Sequence, residues 1–262
     1  MKPPLRIRFR LATKLIVLPV FFLVLIFAVC WAVLSSVVDR AMLNTEQTRL
    51  EGITRTLQDG YNKELRNMRV MMKLTVVQQA LYDGFFGALA DDYEFLRGFL
   101  ARTGELAGVD DVVVVSDDGT ILQRAVSDKR GEKFRYQDVI RDVLAKETVT
   151  DRGRDLDRTI NHYVKVSDDG IVLFTSGPVL DVESVVGAIV FVKRMDMGFL
   201  KELKSGLGED VELSLATSEG VVVSTIPGFK VASVEKGSTL TTETGKRSFF
   251  TRFIPLSESG VY

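Results

Sequence analysis

The amino-acid sequence predicts an α+β protein with an N-terminal transmembrane helix, a long helix after it, and an antiparallel sheet. Three observations lead to this class. An uncharged apolar run lies near the N-terminus, and a long stretch of helical periodicity follows it. From Val109 onward, short β-rich runs alternate with Asp-Gly turns, and links this short imply antiparallel pairing.

Composition sets the first limits on function. Of the 262 residues, 46% are hydrophobic and 26% are charged, which predicts a packed globular portion. The net charge of −1 gives no reason to expect nucleic acid as a partner. A single cysteine excludes an intramolecular disulfide and a zinc site built from cysteines.

The N-terminal segment has the pattern of a membrane anchor. Leu15–Val38 runs for 24 residues without a charge. As a helix it would reach roughly 36 Å, enough to cross the ~30 Å hydrocarbon core. We therefore expect residues 1–14 to be cytoplasmic and everything after Asp39 to lie outside the membrane. The first fourteen residues carry five positive charges and no acid: Lys2, Arg6, Arg8, Arg10 and Lys14.

The alternative to an anchor is a cleaved signal peptide. Such a peptide has an apolar region of about 7–15 residues that ends at small residues. The run found here is longer, and SSVVDRA is a poor cleavage site. An uncleaved anchor is therefore expected, with Cys30 as a small apolar residue inside it and Trp31 near its outer end.

The stretch from Arg40 to Leu81 predicts a stalk helix. Its apolar residues recur on average about every 3.7 positions, which is a helical period. This apolar face must be covered, either by the domain that follows or by the same helix of a dimer partner, and the two can hold together. A second helix is predicted over 91–103, ending near Gly104. The apolar set of the stalk is Leu50, Ile53, Leu57, Tyr61, Leu65, Met68, Met72 and Val76.

A change of period marks the predicted sheet. A helix over 136–147, with Val139, Ile140, Val143 and Leu144 on one face, is expected between its second and third strands. The pattern then begins again with a helix over 199–208, a hairpin over 211–226 and a second hairpin over 239–256 with Thr-Gly at its tip. The five strand candidates are 109–116, 120–127, 159–167, 171–180 and 185–194.

The pentapeptide VSDDG occurs at 115–119 and again at 166–170. An EF-hand loop would need acids at alternate positions, Gly at the sixth and Glu at the twelfth. Asp-Gly between two β runs instead predicts a hairpin turn, because Gly accepts positive φ. ATSEG at 216–220 is a looser third example.

The arrangement resembles the extracytoplasmic Cache and CHASE-type sensor regions of bacterial transmembrane receptors. The residues that carry the resemblance are the anchor, the stalk, VVVVSDDGTILQ (112–123) and the run from GPVL to VVVST (177–225). It implies a PAS-like sheet as a ligand sensor in the bacterial inner membrane. It also implies a cytoplasmic output module, such as a histidine kinase, a diguanylate cyclase or a methyl-accepting domain, in the parent protein.

The resemblance also implies a division of the chain. Residues 1–14 would be the cytoplasmic N-terminus, 15–38 the transmembrane helix and 39–104 the stalk and domain-spanning helices. Residues 105–195 would form a membrane-distal PAS-like sensor domain, and 196–262 a smaller, truncated membrane-proximal one.

One departure from the family concerns the ligand. Amino-acid receptors of this kind carry a Tyr, an Arg beside a Trp–Tyr pair and an acid on a later strand. Here Val192 and Lys193 follow GAIVF, and the only Trp lies in the apolar run. Recognition of an amino acid is therefore not supported, and the ligand stays open.

Five polar residues near one face of the sheet are the predicted ligand contacts. An arginine among them would suit a carboxylate or another anion through paired hydrogen bonds. The alternative is that they are ordinary exposed residues. No cofactor is expected. The five are Arg124, Arg135, Tyr136, Tyr163 and Thr175.

DRGRDLDR (151–158) predicts a solvated loop. Its three arginines argue against a cation site made of its aspartates. A mobile lid that turns Arg154 or Arg158 toward an anionic ligand is the functional alternative.

His162 is the only histidine. It alternates with Ile160 and Val164 on an apolar face, which favours a core residue whose ring is hydrogen-bonded. The chain has no G-x-S-x-G, P-loop or H-E-x-x-H motif, so it is not expected to be an enzyme. Three functions remain: a ligand sensor that is dimeric through the stalk, a membrane-anchored periplasmic scaffold, and an enzyme built on carboxylates around His162.

Overall fold

The computed structural model describes residues 11–149, 154–167, 170–217, 220–229, 239–244 and 247–256. Two compact units, Met1–Ile53 and Thr54–Tyr262, divide the chain. The first helix, α1 (Leu11–Val76), contributes residues to both units.

The first unit consists of the N-terminal part of α1. It contains a segment long and apolar enough to cross a membrane, with a mean hydropathy of 2.7 and none of that segment buried. Trp31 is 75% exposed, and the other large apolar residues that are exposed between Val20 and Val38 range from 47% to 70%. The basic residues Lys2 to Arg10 lie outside the described residues.

The second unit begins with the C-terminal part of α1. The predicted apolar face is confirmed, since Met68 and Met72 are fully buried and Tyr61 and Val76 nearly so. The helix ends at Val76 and not at Leu81, because Gln78 is extended at φ −78° and ψ 129°. Two β-branched valines precede this break, and such residues extend helices poorly. The chain then forms α2 (Gln79–Leu89), which the sequence reading missed.

The next helix, α3 (Glu94–Ala107), continues past the predicted stop at Gly104. The stop is Gly108, which has φ +63° in the left-handed region where glycine carries no Cβ penalty. Gly104 lies inside the helix, where an added Cβ would stand 3.4 Å from Val112 Cγ2, an ordinary contact distance. It is therefore a contact point between α3 and the sheet.

Five strands form one antiparallel sheet in the order β2-β1-β5-β4-β3, so the predicted α+β class is confirmed. The second strand is shorter than predicted. The third begins at Asn161, because residues up to Thr159 are helical. The strands are β1 (Asp111–Ser116), β2 (Ile121–Arg124), β3 (Asn161–Ser167), β4 (Gly170–Asp181) and β5 (Ser184–Arg194).

Both VSDDG copies are hairpin connections, as predicted. The first joins β1 to β2, and the second joins β3 to β4 with Ser167 paired to Gly170. Gly119 and Gly170 have φ values of +80° and +113°. In the first turn, the Asp118 carboxylate accepts hydrogen bonds from the Thr120 amide at 2.9 Å and from Lys133 Nζ at 2.7 Å. Asp168 and Asp169 lie outside the described residues.

The sheet packs between α1 on one face and α4 (Gln137–Leu144) on the other. Gly177 on β4 lets α1 approach, since a Cβ there would lie 2.9 Å from Met72 Cγ and Sδ. On the opposite face, a second cluster joins three fully buried residues of α4 to the sheet. These are Val139, Ile140 and Val143.

The segment predicted as a solvated loop forms a short helix, α5 (Arg154–Thr159). The prediction was wrong for these residues because Leu156 and Thr159 are buried. The first three residues of DRGRDLDR lie outside the described part of the chain. The mobile lid therefore stays a prediction.

After the sheet, α6 (Met197–Lys204) begins at Asp196, whose carboxylate caps the Phe199 amide at 3.1 Å. Two antiparallel pairs follow, β6 (Ser214–Thr217) with β7 (Gly220–Ser224), and β8 (Thr239–Thr244) with β9 (Arg247–Arg252). Thr217 and Gly220 of ATSEG pair at the end of the first hairpin, and Ser218 and Glu219 lie outside the described residues. The Thr-Gly tip of the second pair lies partly outside them. A second, smaller PAS-like domain stays a prediction.

Candidate functional site

Arg124 lies on the edge strand β2 and is bound by a carboxylate. Its Nε and Nη2 donate to Asp111 Oδ2 at 2.8 Å and 2.6 Å. The Asp111 side chain is only 6% exposed and also accepts the Val112 amide. Because removing either partner would leave a buried charge unpaired, this pair has a structural role. An anionic ligand at Arg124 would have to compete with Asp111.

Tyr136 stands just before α4 and closes one side of the sheet. Its ring lies 4.7 Å from the ring of Phe174 and 6.0 Å from that of Phe134. The Arg135 guanidinium carbon is 5.7 Å from the Tyr136 ring centroid. Arg135 and Tyr136 are thus brought together at the N-terminal end of α4.

Tyr163 on β3 faces the same side. It pairs across the strands with Phe174, and its hydroxyl donates to Asp142 Oδ2 of α4 at 2.8 Å. Burial and this carboxylate raise the pKa of Tyr163. Next to it, Lys165 forms an ion pair with Asp138, and the Lys165 hydrogen bond lowers the pKa of that carboxyl. Tyr163 therefore ties the edge strand to the helix.

Thr175 does not join the other four predicted residues. It stands opposite His162 in the strand register, and its Oγ1 lies 3.8 Å from Met68 Sδ of α1. Because adjacent residues of a strand point to opposite faces, Thr175 and Phe174 separate onto the two sides of the sheet. The expectation that all five residues lie near one face is wrong for Thr175.

His162 is hydrogen-bonded through both ring nitrogens, as predicted for a core residue. Arg69 Nε donates to His162 Nε2 at 3.2 Å, and His162 Nδ1 lies 2.8 Å from Thr175 Oγ1. Since Arg69 can only donate, Nε2 must accept, and the ring is neutral with its proton on Nδ1. Burial and then the Arg69 charge lower the pKa of His162 to about 4.

The carboxylate that pairs with Arg69 contacts cations and not the imidazole. Asp157 of α5 lies 2.7 Å from Lys73 Nζ and 3.9 Å from Arg69 Nη1. The Lys73 hydrogen bond lowers the pKa of Asp157. A catalytic base would need a carboxylate that orients the imidazole, and the groups bonded to His162 are a guanidinium and a hydroxyl. The arrangement ties α5, β3 and α1 together.

Lys193 makes a contact that sequence reasoning missed. Its ammonium forms an ion pair with Glu64 of α1, and both side chains are less than one-fifth exposed. The ammonium also lies 5.9 Å from the ring centroid of Phe199 in α6. Lys193 therefore connects the end of β5 to α1 and α6. No sequence spacing links residues 129 positions apart, so only the fold reveals this pair.

Two clefts are lined by described residues of the second unit. The α4 cleft, about 580 Å³, lies between the first VSDDG turn and the outer side of α4. Its charged lining is acidic except for Arg141, with Asp117, Asp118 and Asp138. None of the five predicted contacts lines it, and its charge does not suit an anion.

The second cleft, about 330 Å³, lies where α1 gives way to α2 and is called here the junction cleft. Buried Val76 and Leu180 stand beside Tyr82 in its wall, and Asp181 is the ionisable acid in its lining. The sequence reading missed it because the residues come from three separate segments. The one local signal is Val182 at the β4–β5 turn, a β-branched residue with φ +57°.

Comparison with known proteins identifies the fold. No protein-family model and no curated protein matches the sequence. Among solved structures, the sensor domain of the histidine kinase DctB from V. cholerae matches with a TM-score of 0.54 and 14% identity, over 76% of this chain and 72% of that chain. The periplasmic domain of Vibrio cholerae LuxQ matches with a TM-score of 0.50 and 17% identity, over 76% of this chain and 94% of that chain. The chain therefore has the fold of these periplasmic sensor domains, in line with the kind of fold that the sequence resemblance implied.

Proposed function

We propose that the chain is the extracytoplasmic ligand-sensing region of a membrane-anchored signalling receptor. The observation that carries the proposal is the sensor-type sheet built directly on α1, the helix whose N-terminal part is apolar and exposed. A ligand that binds one packing of the sheet better than another would shift the equilibrium toward that packing. Because α1 shares the core of the sheet through Met68 and Met72, the shift would be felt by the helix.

A ligand site on the α4 side would use Arg135, Tyr136 and Tyr163. Arg135 supplies the cation for an anionic ligand, Tyr136 supplies an aromatic ring, and Tyr163 supplies a hydroxyl next to α4. At Arg124, a ligand would have to compete with the Asp111 carboxylate. Thr175 is excluded from this site by its position on the α1 face.

A thermal-shift screen tests the proposed function. The full chain in nanodiscs would be heated with organic acids, amines and amino acids at millimolar concentration. A compound that binds only the folded state at 100 times its Kd should stabilise the fold by about 2.7 kcal/mol, which raises Tm by several degrees. Arg135→Ala should abolish the shift given by an acid, whereas Arg102→Ala on the exposed side of α3 should leave it intact. If no compound raises Tm, the sensor proposal fails.

We further propose a homodimer through the stalk helix. Two α1 residues four positions apart, Val70 and Leu74, are 54% and 52% exposed. Residues at this spacing lie on the same face of a helix. A partner's copy of the same face would cover both side chains.

Disulfide trapping tests the dimer. In a Cys30→Ser background, Leu74→Cys should form disulfide-linked dimers in nanodiscs under mild oxidation. Leu106→Cys on α3, where the native residue is 70% exposed, is the control and should stay monomeric. Equal cross-linking at both positions would argue against a specific interface. A stable complex with a different protein at Leu74, with no ligand response, would favour the periplasmic scaffold instead.

A further inference from the structure

The junction cleft has the size and lining of a small-molecule site. Its volume of about 330 Å³ falls within the range of roughly 300–1,000 Å³ that ligand pockets occupy. Val76 is 6% exposed and Leu180 is 9% exposed, so an apolar wall is already formed. Tyr82 adds an aromatic face, and the exposed Gln78 and Gln79 add amides that can donate or accept.

The charge of the cleft has one sign. Asp181 lines it, and Asp83 stands next to Tyr82 and accepts a hydrogen bond from Gln79 Nε2 at 2.9 Å. No lysine, arginine or histidine is among the described residues that line the cleft. Desolvation and then the Asp181 and Asp83 carboxylates raise the pKa of the Tyr82 hydroxyl. Such a lining favours a cation and disfavours an anion.

The β4–β5 turn fixes the position of Asp181 and contains one residue with a strained backbone conformation. Asp181 pairs with Ser184 across a two-residue turn, and the first turn residue, Val182, has φ +57°. A β-branched residue in this conformation is strained, and such strain persists only where surrounding contacts fix it. Here the Glu183 carbonyl accepts the Val149 amide at 2.8 Å, and Ser184 bridges to Thr148. The carboxylate is therefore presented by a fixed turn.

We propose that the junction cleft binds a small primary ammonium compound with a short apolar tail. The ammonium group would pair with Asp181 beside the Tyr82 ring, where a carboxylate and an aromatic face both attract a cation. The tail would lie against Val76 and Leu180. The site is formed by the end of α1 itself, and it is separate from the anion site proposed near Arg135 on the α4 side.

Three compounds of one shape test the chemistry on the unmodified chain. 3-Methylbutylammonium, 3-methylbutanol and 3-methylbutanoate would be titrated into the full chain in zwitterionic nanodiscs at pH 7, with empty nanodiscs as the blank. The ammonium compound should bind saturably and at least about tenfold more tightly than the alcohol, because only it gains the charge interaction. The carboxylate should not bind. Equal binding of ammonium and alcohol, or none by the ammonium, overturns the proposal.

Two neighbouring carboxylates separate local pairing from long-range charge. Asp181→Asn should weaken ammonium binding by at least about tenfold. Glu183→Gln removes the same charge two residues away, outside the cleft lining, and should leave binding within about twofold. Equal loss in both variants would overturn the site. Should Asp181→Asn not fold, the three-compound comparison on the unmodified chain decides alone. Arg135→Ala should not change ammonium binding, so failure of the proposed sensor site would be seen separately.

Discussion

The two faces of the five-stranded sheet are built from different chemistry. Toward α4 the buried cluster is aliphatic and aromatic, and its polar contacts, such as Tyr163 to Asp142, lie at the rim. Toward α1 the interface includes partly buried polar pairs: His162 with Arg69, and Lys193 with Glu64. An apolar cluster accepts many arrangements of similar volume, whereas each polar pair is satisfied in one geometry. The α1 face is therefore the one that defines the position of the helix.

The α4 face should give the largest loss of stability. Phe174 is 1% exposed and contacts the rings of Phe134 and Tyr136. Phe174→Ala should lower the free energy of unfolding by about 3–5 kcal/mol, because it removes buried area and leaves a cavity. Urea unfolding of the full chain in micelles, followed by circular dichroism, measures the loss. Phe95→Ala, at a position that is 53% exposed, should change it by less than about 0.5 kcal/mol.

The α1 face should respond to added volume. Gly177→Ala would place a Cβ 2.9 Å from Met72 Cγ and Sδ, and Met72 is fully buried. We expect a loss of about 1–3 kcal/mol, as for other overpacked cores. Gly98→Ala in α3 is the matched control, since nothing lies within 4 Å of its added Cβ, and it should gain up to about 1 kcal/mol of helix propensity. A neutral Gly177→Ala would show that α1 is loosely held.

The single histidine makes the α1 face sensitive to pH. Burial and Arg69 lower the pKa of His162 from 6.5 to about 4, so only the unfolded chain binds a proton between these values. Stability should therefore be full above about pH 6.5 and fall by on the order of 1–2 kcal/mol as the pH drops toward 4, allowing for partial exposure of the ring. Unfolding at pH 7.5 and at pH 5 measures the difference. His162→Gln should remove the slope in this window, and an unchanged slope would assign it to other groups.

The smallest effect is expected at the rim of the α4 face. Tyr163→Phe removes the hydrogen bond to Asp142, for which we expect a loss of about 0.5–1 kcal/mol. A double-mutant cycle with Asp142→Asn separates the pair from its surroundings. A coupling energy of zero would show that the contact contributes nothing to holding β3 against α4.

Much of the architecture was predictable because residues close together in the sequence determine it. The period of α1, the turns at Gly119 and Gly170, and the apolar face of α4 each follow from neighbouring residues, and the structure confirms them. Local patterns failed where tertiary contacts decide. Gly104 reads as a helix stop but serves packing against Val112, and the charged run before β3 folds as α5 because Leu156 is buried.

The candidate sites were less predictable, since they depend on which distant residues meet. Arg124 reads as a free cation in an apolar strand, and only the register places Asp111 beside it. Thr175 and Tyr163 look adjacent in a hairpin, yet a shift of one residue puts them on opposite faces. The junction cleft draws on α1, α2 and the β4–β5 turn, which no sequence window contains.

The glycine notch at Gly177 limits how α1 can travel along β4. Met72 occupies the notch, and Met68, one helical turn earlier on the same face, is equally buried. A small slide would lift Met72 onto side chains that flank the glycine, and a close-packed interior resists such intermediate positions. A slide of four residues, about 6 Å, would place Met68 in the position that Met72 occupies. α1 would therefore have two discrete positions along β4, one with Met72 and one with Met68 at Gly177.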